Sequence, residues 1–486
     1  MSTDIKNLEP KALWNYFYEL TQIPRPSKHE GAVIEYMKNF GESLGLETIV
    51  DKVGNVIIRK PATPGMENRK GMVLQGHLDM VPQKNSDKDF DFTKDPIDAI
   101  IDGEWVTADG TTLGADNGMG VAAAMAVLAS KDLKHGLVEA LFTIDEETGM
   151  TGAFGLEAGI LKGDILVNMD SEDEGEMYIG CAGGMDANVS LKYNTVEVPA
   201  GHIAFSLELT GLKGGHSGMD IPLGRGNANK LMNRYIKHAM DKHGLMVASL
   251  NGGSLRNAIP REAFAVVTIP AENKVKFMEC IAEYEKTFKS ELAATEPDLS
   301  FIAKETDMPA NVIEPQTMLN FSRSVYTCPN GVLRMSNEME GLVETSSNLA
   351  IMKTDNGELI VNCLMRSSVD SAKYAVGEAI KSAFELAGAN VVLDGEYPGW
   401  KPNPESAILK SCRETYQSMY GVIPEIKAIH AGLECGLLGA VYPNWDMISF
   451  GPTIRYPHSP DEKVNIETVK KFWDFTVKVL ENAPAK

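Results

Sequence analysis

The chain has 486 residues, 46 Lys and Arg against 67 Asp and Glu, a formal charge of −21, and 43% hydrophobic residues. One hydrophobic core stops growing near ~250–300 residues, so about two domains or three subdomains are expected. The acidity argues against nucleic acid and anionic membrane surfaces, which attract basic patches.

In chain order, "MSTDIKNLEPKALWNYFYEL" lacks a basic segment followed by an apolar core and reads as a helix start, not a secretory leader. "KALWNYFYELTQI" and "HEGAVIEYMKNFGESLG" have helical spacing. "KGMVLQ" is a short buried strand, and "GMGVAAAMAVLAS" is a helix. "VEALFTI" is a strand, "GAFGLEAGI" a short helix and "DILVNM" a strand. This alternation implies a largely parallel sheet with helices on both faces. The longest apolar run, "VAAAMAVLA", is far below the ~18 residues that cross a bilayer.

The middle of the chain differs. "HIAFSLELTGL", "FAVVTIP" and "ELIVNCLMRSSVD" alternate with period two. The helical patterns "NANKLMNRYIKHAMDKHG" and "VKFMECIAEYEKTFKSELAA" lie among them. An inserted α+β domain is expected at 187–397, with rough β/α halves near 200–290 and 310–390 that suggest a duplication. Residues 1–186 and 398–486 then form one discontinuous α/β domain. After the linker-like "GEYPGWKPNP", "PESAILKSCRETYQSMYG" is helical, "WDMISFG" a strand and "NIETVKKFWDFTVKVLENA" a closing amphipathic helix.

Four strands deliver His, Asp or Glu at or beyond their carboxyl ends. "GMVLQ" is followed by His77 and Asp79, "VEALFTI" by Asp145, Glu146 and Glu147, and "DILVNM" by Asp170. "WDMISFG" is followed, after a loop, by His458. Ligand crevices of open α/β sheets lie outside these ends. Asp116, in "GADNGMG", precedes a glycine-rich helix start. Each alone is usually a cap, a turn or solvated surface. Two histidines with several carboxylates suit Zn, Co or Mn. Two ions fit better than one, because paired hydrolase metals need a bridging carboxylate and Asp116 can supply it. His77 can bind with one nitrogen while Asp79, two residues on, holds the other N–H. Glu146 and Glu147 point to opposite sides if extended, so one can ligate while the other stays free as a base. The single-zinc HExxH pattern is absent.

These segments carry a family resemblance. "GHLDMVP", "LGADNGMGVA", "DEETGMTGA", "NMDSED" and "PHSPDEKV" resemble, in order, the zinc motifs of the M20 metallopeptidases. "GGHSGMDI" and "NGGSLRNAIPREA" resemble that family's smaller lid domain. The long middle insert and "TADGTTLGADNGMG" are most similar to its aminoacyl-histidine, or cytosol non-specific, dipeptidase branch. The resemblance implies a zinc-peptidase-like α/β fold with a lid, and two ions, zinc before cobalt or manganese. It implies His77 and Asp170 on one ion, Glu147 and His458 on the other, and Asp116 between them. Asp79 would orient His77, Glu146 would be the general base, and His216 would stabilise the oxyanion. Asn257 and Arg366 would hold the substrate, Arg366 at its carboxylate. The expected activity is hydrolysis of small unblocked dipeptides, Xaa-His such as β-alanyl-histidine included.

A cytoplasmic location and a homodimer are further expectations. The six scattered cysteines read as reduced, buried thiols. An N-acyl amino acid deacylase would need the same metal site. A serine hydrolase is disfavoured, because Met219 breaks the G-x-S-x-G spacing in "GGHSGM". A peptide-binding scaffold would need no base, and a dinucleotide site would need G-x-G-x-x-G.

Overall fold

The computed structural model describes residues 3–486 and divides into two compact units. The first runs through Gly180 and takes up Pro402–Ala428 and Leu433–Lys486; the second is Cys181–Lys401 with Ile429–Gly432.

The first unit is built on an eight-stranded mixed sheet. The strand Met72–His77, buried at every residue, runs parallel to Val138–Thr143 on one side and Ile165–Asn168 on the other. Asp446–Ser449 extends the parallel core beyond Ile165–Asn168. These short Val/Ile/Leu/Phe runs are apolar on both faces because both are covered. Antiparallel strands, Val56–Lys60 and Glu47–Val50, close one edge. The helix Ala115–Ala129, buried along almost its whole length, packs on the two central strands and against the helix Lys11–Thr21. That second helix turns Leu13, Trp14, Phe17 and Leu20 inward at three- and four-residue steps. A small sheet of Ala99–Asp102, Trp105–Ala108, Lys463–Asn465 and Ile454–Arg455 was not legible as strands, since its segments are only two to four residues long.

The second unit carries a nine-stranded sheet in which every pairing is antiparallel. Two halves share the order strand, helix, strand, strand, helix, strand. One runs from His202–Thr210 through the helices Ala228–His243 and Lys274–Glu291 to Ser300–Glu305. The other begins with Gly183–Lys192, resumes at the helix Pro315–Thr327 and ends with Asn390–Tyr397. Across the sheet one half reads fourth, first, third, second, and the other mirrors it, meeting where Met246–Gly252 pairs with Val343–Asp355. The half expected near 310–390 therefore takes its first strand from upstream of the other half. The same strand moves the unit's start from 187 to Cys181. It pairs with Asn390–Tyr397, and a Cys181–Trp400 bridge extends that ladder.

All six cysteines are buried and none forms a disulfide. Among the described residues no helix is long and apolar enough to cross a membrane.

Candidate metal centre

Parallel strands of the first unit end together and release their loops on one side. His77 closes Met72–His77 and is 1% exposed. Its Nε2 lies 3.2 Å from Asp116 Oδ1 and 3.6 Å from Asp170 Oδ1. His458 Nε2 lies 3.2 Å from Asp116 Oδ2 and 2.9 Å from Glu147 Oε2. Each oxygen of one carboxylate thus faces a different imidazole, and each imidazole has a second carboxylate of its own.

This donor set fits a pair of cations. Donors around a four-coordinate ion with ~2.1 Å bonds lie ~3.4 Å apart, and the spacings here run from 2.9 to 3.6 Å. His77, Asp116 and Asp170 form one group able to hold an ion; Asp116, Glu147 and His458 form another. Glu147 Oε1 is buried with no hydrogen-bond partner, as expected of an oxygen reserved for a ligand.

Asp79 is fully buried and ties three pieces together. Its Oδ1 lies 3.3 Å from His77 Nδ1 and accepts the Glu146 N–H at 3.0 Å. Its Oδ2 accepts the Glu147 N–H at 3.2 Å and the Ser27 hydroxyl at 2.8 Å. Burial works against its charge, but the bonds from His77, Ser27 and the backbone hold it down to about 2. Glu146 and Glu147 are not extended. They open a single helical turn, Glu146–Gly149, in place of the extended chain that would point them to opposite sides. The turn starts because Asp145 adopts φ 52°, its carboxylate gripped by the Thr148 and Thr151 hydroxyls. His458 also sits at positive φ, 60°. Such residues persist where surroundings over-determine them.

The charges explain the titration of the group. Burial opposes protonation of His77, but Asp170, Asp116 and Asp79 hold it well above its ordinary value. Hydrogen bonds to Asp116 and Glu147 push His458 up to about 11. Burial pushes Glu146 up to about 8, against the pull of His77 and with help from Glu434, Glu147 and Asp116.

Nothing in the sequence pattern marks Glu434. It is 1% exposed; its Oε2 accepts from Gln75 Nε2 at 2.6 Å and Thr143 Oγ1 at 2.9 Å, while Oε1 has no partner. Gln75 Oε1 accepts in turn from Asn168, and Asn168 Oδ1 accepts from Ser449. A row of polar side chains therefore crosses four adjacent strands at or just before their carboxyl ends. No single strand signals it, because each contributes one polar residue.

The second unit gathers a different group. His216 lies in a two-residue ladder with Ala258–Ile259. Its Nδ1 accepts the N–H groups of Gly218 and Met219 at 3.2 and 3.0 Å. The ring proton is thereby placed on Nε2. Burial and Arg366 lower its pKa, so the ring is neutral. Arg366, 5% exposed, donates to Tyr397 Oη at 3.0 Å and to Ser217 Oγ at 3.4 Å. Tyr397 had no signal in the sequence beyond its aromatic ring. Asn257 is exposed. Its carbonyl accepts the Ser217 N–H at 2.8 Å and closes the turn that follows His216. His430 is buried, its Nε2 2.7 Å from Ser346 Oγ, and burial with the nearby Arg366 lowers it to about 3. A side chain at Gly218 would run into the His430 carbonyl and crowd His216 and Arg366, so glycine keeps this group together.

The signature of Peptidase family M20/M25/M40 matches residues 73–482. The cytosol non-specific dipeptidase of Escherichia coli (strain K12) is 47% identical over 484 residues, covering 100% of each chain. The crystal structure of aminoacylhistidine dipeptidase from Vibrio alginolyticus is 53% identical with a TM-score of 0.96, covering 100% of this chain and 99% of that one. Aminopeptidase PepT from Bacillus cereus shares the fold at 17% identity and a TM-score of 0.57, covering 98% of this chain and 99% of that one.

Proposed function

Because the chain belongs to Peptidase family M20/M25/M40, we propose that it is a dinuclear metal-dependent dipeptidase. Its substrates are small unblocked dipeptides, Xaa-His such as β-alanyl-histidine included. The observation that carries this reading is Asp116, whose two oxygens each lie 3.2 Å from a different histidine. The names of two relatives, each matched over at least 99% of its length, agree with it.

His77 and Asp170 would hold one ion, Glu147 and His458 the other, with Asp116 shared. Zinc suits two imidazoles and three carboxylates, and cobalt or manganese would substitute. When bound, the two cations polarise the scissile carbonyl and make water a better nucleophile. Asp79 holds His77 Nδ1 and leaves Nε2 bare as a ligand. Glu146 takes the proton of the attacking water and passes it to the leaving amine. His216 donates its Nε2–H to the oxygen that gains negative charge. Arg366 and Asn257 hold the substrate, Arg366 by pairing with its terminal carboxylate. A cytoplasmic location and a homodimer belong to the same proposal.

Elemental analysis coupled to turnover of a dipeptide panel and of N-acyl amino acids tests it. Two divalent ions per chain and preferred cleavage of free dipeptides are expected, with activity lost on chelation and restored by Zn, Co or Mn. Full activity in metal-free protein overturns the metal reading, and preference for N-acyl amino acids makes the protein a deacylase.

A further inference from the structure

Two buried charges of the first unit touch no ligand side chain. Arg25, 2% exposed, donates from Nη1 to the carbonyls of Leu78 and Asp79 at 2.8 and 2.9 Å, and from Nη2 to the Gly114 carbonyl at 2.6 Å. Glu462, also 2% exposed, takes four backbone N–H groups. Its Oε2 accepts from Leu113 and Gly114 at 2.7 and 2.9 Å, and its Oε1 from Ala115 and Asp116 at 2.8 and 3.1 Å. Gly114 is held from both sides, its carbonyl by Arg25 and its N–H by Glu462.

The partners of these bonds are chosen by place. Leu78 and Asp79 directly follow His77. Residues 113–116 lead into Asp116. Glu462 stands four residues after His458, its own N–H bonded to the Ser459 carbonyl at 2.9 Å. Seven hydrogen bonds from two side chains thus join the three loops that carry both histidines and the carboxylate between them. Two glycines make room for the guanidinium. A Cβ at Gly114 or at Gly118 would each come within 2.7 Å of Arg25 Nη2. Gly114 and Gly118 of "LGADNGMG" therefore serve the arginine, a reason the motif alone does not show.

Stability does not explain this arrangement well. Taking a carboxylate and a guanidinium out of water costs several kcal/mol each, and apolar residues of like volume often stabilise as much. What apolar residues cannot do is hold backbone N–H and C=O groups in fixed positions. We propose that Arg25 and Glu462 are positioning residues that clamp the Leu113–Asp116 segment and so aim the Asp116 carboxylate between the two histidines before any cation arrives. The inference rests on the reading of Asp116 as the shared ligand.

Three variants and the wild type test it together, with metal affinity measured by competition with a chelator. Arg25→Lys keeps the charge but loses the planar fork. Glu462→Gln keeps the shape but turns an amide N–H toward backbone donors. Both are expected to bind zinc ~10–100-fold more weakly, the range seen when the residues supporting metal ligands are removed, while the metal-free forms still melt cooperatively. Asp116→Asn is expected to lose affinity at least as far. Wild-type zinc affinity in folded Arg25→Lys and Glu462→Gln, with Asp116→Asn weakened, overturns the positioning role and leaves the shared-ligand reading standing. Undiminished affinity in Asp116→Asn overturns that reading and the inference with it.

If the variants fail to fold, hydrogen exchange in the metal-stripped wild type decides. The Leu113–Asp116 amides should stay protected, changing less than ~3-fold on metal removal; acceleration beyond ~10-fold would show that the ions, not the side chains, hold the segment.

Discussion

The two units each hold a pair of histidines beside strong charge, and they use it in opposite ways. In the first, carboxylates face the imidazoles. Asp170, Asp116 and Asp79 raise His77 against its burial, and Asp116 with Glu147 raises His458. In the second, burial lowers His216 and His430, and Arg366 lowers both further. The first group is an excess of negative charge that a cation would neutralise. The second offers neutral N–H and guanidinium donors, the chemistry that receives an oxyanion or a carboxylate. Histidine count alone does not separate the two groups; the sign of the charge facing each ring does.

The largest test of this contrast lies between two neighbours in the first group. Glu146→Gln is expected to keep both metals and the fold while kcat falls ~10²–10⁴-fold, the worth of a general base. Glu147→Gln is expected to lose metal instead. Elemental analysis with single-turnover rates on one dipeptide checks both. Metal loss in Glu146→Gln with both ions kept in Glu147→Gln would reverse the roles.

Proton release sharpens the comparison next. Without metal, neighbouring carboxylates hold both His77 and His458 above their ordinary pKa, His458 up to about 11. Each must give up its proton to ligate. Loading the two ions at pH 7 should therefore release protons, and affinity for the pair should rise with pH. Calorimetry in buffers of different ionisation heat reads this directly. The same raised pKa values have a stability sign. The stabilisation His458 gives the metal-free protein is full below its unfolded value near 6.5 and is lost as pH rises through about 11. Release near zero would mean that the two groups do not differ in charge state.

The smallest expected effect falls on the second group. Arg366→Ala should raise KM for free dipeptides ~10–100-fold, the worth of a charge-assisted pair, and affect C-terminally amidated ones much less. Equal losses on both substrates would remove Arg366 from the carboxylate role.

The strand-end residues were legible because their signal is local. An apolar run that stops at His77, or at Asp145, announces a loop at the carboxyl end of a buried strand. The turn at Glu146–Gly149 was not legible, since it depends on Asp145 taking positive φ under the grip of two threonines. Arg25 and Glu462 escape notice because a charged residue in a polar stretch reads as surface, and Glu434 because it is a lone charge at the start of an apolar helix. Only the fold shows each of them at 2% exposure or less.

By itself, then, the sequence determined the alternation of strand and helix, the insertion of a second unit and the residues that end the central strands. These follow from the spacing of side chains along a short stretch of chain. Tertiary structure alone decided that the second unit's sheet is two mirrored halves with the first strand of one borrowed from upstream. It also decided that Glu462 would bind the amides of residues 113–116, nearly 350 residues away in the chain. The physical reason is that the partners here are backbone groups or single charges from distant segments. Every residue but proline carries the same N–H and C=O, so nothing in a sequence marks the ones that a buried side chain will hold.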